Sequence, residues 1–157
     1  MNQINAVRLV RYEEEAAGIV GQLRGQSLAR KEAFQAFIDF RQKNPASGLG
    51  PAFFTKLIFF AHPKHDGYIM DQHVGRAVNL LFGGTIVKFR GPNVGDHNDA
   101  ENYEHFCKAI EVLRDFMTGD DRDSKGMTGE EVEMLLFAPN EGKTRSKWRA
   151  YIEEHAG

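Results

Sequence analysis

Four residues, Gly48-Leu49-Gly50-Pro51, restrict this chain more than any others. Two glycines around one leucine suit a turn that needs positive φ or the close approach of another backbone, and proline is best tolerated at the first position of a helix. A helix is therefore expected to start at Gly50 or Pro51, after Asn44-Pro45 has stopped the one before it. Its first N–H groups would be free, and glycine amides beside a helix N-terminus make a ready phosphate site.

Downstream, Phe53, Phe54, Leu57, Ile58 and Ala61 follow the spacing of a buried helical stripe, with Ala52, Lys56 and Phe59 on a neighbouring face. Asp71 is a good N-cap, and Val74, Ala77, Val78 and Leu81 continue from it at helical spacing. The stretch from about 44 to 82 thus reads as turn, helix, loop and a carboxylate opening a second helix.

These residues resemble a known family. Gly48-Leu49-Gly50 entering one helix, with Ile69-Met70-Asp71-Gln72-His73-Val74 opening the next, is similar to the helix-hairpin-helix DNA glycosylases, above all their 8-oxoguanine branch. The spacing from Gly50 to Asp71 matches that branch without a gap. More narrowly, the FFTKL and GYIMDQ segments resemble small bacterial proteins with the oxoguanine glycosylase fold. The resemblance implies that Asp71 is the essential aspartate, that the Gly48-Leu49-Gly50 turn holds a DNA phosphate, and that His73 lies near the phosphate backbone. One departure matters. Bifunctional members place a nucleophilic lysine two residues after the second glycine, where this chain has Ala52. Lys56 stands one turn further on, where the oxoguanine branch has a base-pocket residue.

At 157 residues with twelve phenylalanines, the chain is expected to form a single helical domain over 1–157, or two small lobes about a cleft. The lone Cys107 excludes an internal disulfide and a four-cysteine iron–sulfur cluster, and no cofactor is expected. A net charge of −2 argues against coating nucleic acid through bulk attraction, yet permits a local phosphate-binding rim. No apolar run approaches membrane length and no signal-peptide pattern opens the chain, so a cytoplasmic monomer without membrane contact is expected.

Elsewhere the pattern is helical, and an all-α fold with at most one short hairpin is expected. Between Asn5 and Leu23 a helix is assigned to the second half only, ending at Gly25; Ala33, Phe34, Phe37 and Ile38 mark the next. His62 and His65 flank Pro63, but a proline loop with one nearby acid, Asp66, is a poor zinc cage, so both histidines are read as exposed and no metal is expected. After Gly83-Gly84, the alternation of Thr85 to Phe89 suggests a short strand, with loop from Arg90 to His97. Asn98 and Glu101 read as a cap for a helix carrying Tyr103, Phe106, Cys107, Ile110, Leu113 and Met117 up to Gly119. Asp121, Asp123 and Gly126 imitate a calcium loop, but Lys125 and Val132 occupy ligand positions. Thr128 and Glu131 form a capping box before a helix closed by Pro139, and Trp148, Tyr151, Ile152 and His155 share a face of the last helix, flanked by Arg145, Lys147 and Arg149.

Removing a damaged base breaks a C1′–N bond while positive charge grows on the sugar, so a site needs a nearby carboxylate and room for an extruded base. Asp71 suits that role, although a plain N-cap is the commoner job for such an aspartate. Lys56, placed among phenylalanines, is either a nucleophile with a disfavoured charge or a snorkelling structural lysine. His73 either orients a phosphate or only continues its helix, and Arg76 is a further phosphate candidate. Ala52, Phe59 and Trp148 are base-pocket candidates, Trp148 reading first as core. The leading expectation is a glycosylase for an oxidised or otherwise modified purine in DNA, with strand cleavage open through Lys56. The alternative is a noncatalytic helix-hairpin-helix module or interaction protein that keeps the fold.

Overall fold

The computed structural model describes residues 3–45, 49–64, 66–118, 126–138 and 146–156, the side chains of 3–12 excepted. Among them are seven helices and one two-residue antiparallel hairpin, as expected of an all-α chain: α1 (Gln3–Arg24), α2 (Arg30–Lys43), α3 (Pro51–Ala61), α4 (Gln72–Phe82), β1 (Phe89–Arg90), β2 (Asn93–Val94), α5 (Ala100–Thr118), α6 (Gly129–Phe137) and α7 (Lys147–His155). Gly48, His65, Gly119, the 121–125 stretch, Pro139 and Arg145 lie outside the described residues.

Helices α1, α2 and α3 pack on one another, α4 packs on α6 and α7, and α5 joins the two groups by touching α2 on one side and α4 and α6 on the other. Aromatic rings fill the first junction. Phe34 stacks on Tyr103 at 4.7 Å, Phe37 stacks on Phe54 at 5.3 Å, and Phe34 meets Phe54 edge-on. Met70, Val74 and Val78 carry the core across to α4. Beside it the buried Arg30 guanidinium spans three acids, with Glu104 and Glu111 on α5 and Asp66 in the α3–α4 loop. Burial alone would lower its pKa, but the hydrogen bonds to Glu104 and Glu111 outweigh that and raise it, while Arg30 in turn holds Glu104 below the usual carboxylate range.

Several caps follow their local chemistry. Pro51 is N1 of α3, Gly83 ends α4 at φ 62°, and Thr128 and Glu131 close a reciprocal capping box on α6. Other expectations need correction. The first helix is continuous from Gln3, because no glycine or proline interrupts it before Gly18 and its glutamates, alanines and arginines are good helix formers. Thr85 to Lys88 is not a strand: the side chain of Asn79 takes both the N–H and C=O of Val87, and Asn98 takes the N–H and C=O of Lys88. The pairing falls later: Phe89, the last residue of the expected strand, pairs with Val94, and Arg90 with Asn93, these last three inside the stretch read as loop. Asn98 is consequently a buried brace, and Asp99 caps α5 by accepting the Asn102 N–H. His62 is buried, not exposed, its Nδ1 accepting the N–H groups of Lys64 and Asp66. Phe53, expected on a buried stripe of α3, and Met117, expected on the core-facing series of α5, are substantially exposed.

Candidate active site

A cleft of about 420 Å³, within the ordinary range for ligand sites, opens where the start of α3, the start of α4 and strand β2 meet. Gly50, Pro51, Ala52, Phe53 and Lys56 line it from α3, Asp71 and Gln72 from α4, and Asn93 and Val94 from the hairpin.

Gly50 is the N-cap of α3, and among the described residues no side chain caps this helix; Pro51 has no N–H and the Phe53 N–H bonds the Gly50 carbonyl, which leaves the Ala52 N–H. Its φ of −111° is open to any residue, and among the described residues an added Cβ would meet only Asp96 Oδ1 at 3.7 Å. Neither backbone conformation nor crowding therefore demands glycine at 50, contrary to the turn-based expectation for this position. What glycine leaves here is room at the helix end. Asp96 beside it is paired with Arg41 of α2, which also holds the Asp96 carbonyl.

Asp71 is the N-cap of α4. Its Oδ1 accepts the N–H groups of His73 at 2.8 Å and Val74 at 2.9 Å, while Oδ2 has no donor among the described residues. One oxygen thus serves the helix and the other is left for the cleft. Lys56 lines the same cleft from α3 and is exposed, unlike the apolar setting expected for it, and no acid pairs with it among the described residues. Behind Asp71 sits Glu133 of α6, whose carboxyl burial pushes up to about 7; Asp71 and Glu130 push the same way, and the Ile69 N–H that it accepts opposes them.

Of the residues singled out from sequence, Gly50, Ala52, Lys56 and Asp71 share this cleft. Others have different neighbours. His73 meets the Phe137 ring edge-on at 5.7 Å, and burial followed by the nearby Arg149 cation lowers its pKa. Arg76 lies 5.0 Å over the Phe89 ring and reaches the Pro92 carbonyl, so it braces the hairpin. Leu49 packs against the core, Phe59 contacts Phe60, and Trp148 stacks with Tyr151 on α7. Phe53, Gln72, Asn93 and Val94 were not anticipated as cleft residues. The Gly91-Pro92 pair is a turn signal that would have pointed to the hairpin. Its position depends on Gly75, where a Cβ would come within 3.0 Å of Phe89 and Val87, so α4 and the hairpin approach closely. No group of three or more His, Cys, Asp or Glu among the described residues could hold a metal ion, and no described helix is long and apolar enough to cross a membrane.

Among the described residues the chain is helical apart from one two-residue hairpin, and an uncapped helix start and an aspartate-capped helix share one cleft, as in a helix-hairpin-helix DNA glycosylase-like domain. Residues 3–137 match the family described as "Putative 8-oxoguanine DNA glycosylase OGG-like protein", and the chain belongs to that family. Among curated proteins and among solved structures nothing matches.

Proposed function

We propose that this protein is a DNA N-glycosylase that releases an oxidised or otherwise modified purine, 8-oxoguanine-like in class, in base excision repair. The observation that carries the reading is the meeting of Asp71, Lys56 and the uncapped start of α3 on one cleft. The α3 N-terminus would take a backbone phosphate through the Ala52 N–H, with no basic surface needed on a chain of net charge −2. Asp71 Oδ2 faces the developing positive charge on the sugar as the C1′–N bond breaks and its electron pair leaves with the base. Lys56 stands one helical turn, about 6 Å along the axis, beyond Ala52, and a long side chain covers that distance. Its amine, having lost a proton to solvent, bonds to C1′ as the base leaves; rupture of the C1′–O4′ bond, with O4′ taking up a proton, then gives a Schiff base that opens the way to strand cleavage.

Oligonucleotides carrying different purine lesions test this directly. Free base should appear with a cognate lesion, borohydride should trap a protein–DNA crosslink, Lys56→Gln should abolish both, and Asp71→Asn should suppress base release in a folded protein. Base release at the parental rate by Lys56→Gln would make the lysine structural and the enzyme monofunctional. Binding without release from any lesion would leave a noncatalytic module that uses the same helix start.

A further inference from the structure

The backbone that delivers Asp71 to the cleft is held from behind by two buried side chains. Residues 69 to 71 precede α4 and belong to no strand, so their amides need partners from elsewhere in the fold. Thr55, fully buried on α3 next to Lys56, accepts the Met70 N–H with its Oγ1 at 3.1 Å and donates to the Ala52 carbonyl at 3.2 Å. Glu133, 9% exposed on α6, accepts the Ile69 N–H with Oε2 at 3.1 Å. The Asp71 N–H folds back to the Ile69 carbonyl at 3.0 Å. Each of the two peptide N–H groups just before the cap is thus tied to a different helix, and one of these helices carries Lys56. A neutral acceptor would serve Ile69 at far lower cost than a carboxylate without a cation partner among the described residues. The charged groups that act on Glu133 are Asp71 at the α4 cap and Glu130 on its own helix, both acidic.

We propose that Thr55 and Glu133 are positioning residues of the site: they fix the Ile69–Met70 backbone to α3 and α6 so that Asp71 meets Lys56 in the cleft. The Glu133 carboxylate also adds negative charge behind Asp71, which itself faces the substrate sugar as that becomes positive. The catalytic part rests on the glycosylase reading above. With Glu133 titrating at about 7, its ionised form is present above that pH, and its share of the rate is gained as pH rises through it.

The test uses the full chain with Thr55→Val, Thr55→Ser, Glu133→Gln and the parent, read by amide hydrogen exchange and by single-turnover base release between pH 5.5 and 8.5. Thr55→Val should lose protection at Met70 and slow base release by about tenfold or more, while Thr55→Ser restores both. Glu133→Gln keeps an acceptor for Ile69, so that amide should stay protected while the rise in rate through pH about 7 disappears. A parental rate in Thr55→Val, or an unchanged pH profile in Glu133→Gln, would overturn the proposal. Should the parent release no base from any lesion, the glycosylase reading fails on its own, and exchange still decides the positioning: unchanged Met70 protection in Thr55→Val would refute it. Should Thr55→Val not fold, Glu133→Gln decides through its pH profile.

Discussion

Glu133 also makes a prediction that needs no substrate. Its carboxyl is raised from an ordinary 4.5 to about 7 in the folded protein, chiefly by burial. Below pH 4.5 the group is protonated in folded and unfolded chains alike and nothing is lost. As pH rises toward 7 the unfolded chain ionises freely while the folded one must hold on to its proton or bury a charge, so stability falls. At about 1.4 kcal/mol for each pH step the full loss is about 3 kcal/mol, of which about 2.5 kcal/mol falls between pH 5 and 8.5. Glu133→Gln retains an acceptor for the Ile69 N–H and cannot ionise, so it should escape this loss. Urea unfolding of parent and variant at both pH values isolates the effect, because every other titrating group cancels in the difference. The advantage of the variant should grow by about 2.5 kcal/mol from pH 5 to 8.5, a large part of the stability of a chain this size. A difference that stays constant to within about 0.5 kcal/mol would show that Glu133 ionises normally and that the buried-carboxylate reasoning is wrong.

Two further outcomes are expected. Arg30→Met strips the cation from Glu104, Glu111 and Asp66 and should cost about 3–5 kcal/mol near neutral pH. Because Arg30 depresses Glu104, that carboxylate's stabilisation exists above its unfolded pKa and fades as pH falls through its folded one; urea unfolding at pH 3.5 should find a smaller penalty, and an equal one would count against the network. Gly50→Val should fold with a cost of about 1 kcal/mol or less, since among the described residues an added Cβ meets only Asp96, yet weaken DNA binding. The parental salt slope should correspond to about two to four released ions, and undiminished affinity in the folded variant would exclude the α3 terminus as the phosphate site.

The catalytic candidates were legible because their signals are local. An aspartate before a helix caps it whatever surrounds it, and proline after glycine starts one, so Asp71 and the α3 terminus could be read from neighbours in sequence. Their meeting in one cleft was reached only through family resemblance. The cleft's other walls were not legible, since they depend on contacts distant in sequence. Val87 and Lys88 have the alternation of a strand, but the amides of Asn79 and Asn98 claim their backbone groups and displace the hairpin until Asn93 and Val94 face α3. Phe53 has the spacing of a core residue, but the stripe that packs is Pro51, Phe54, Thr55, Ile58 and Ala61, which turns Phe53 and Lys56 outward together. That rotation has a consequence for chemistry. It points Thr55 inward at Met70 and Lys56 outward into the cleft, so one helix both anchors the segment before Asp71 and presents the amine. Any change that rotates α3 must therefore disturb both sides of the site at once.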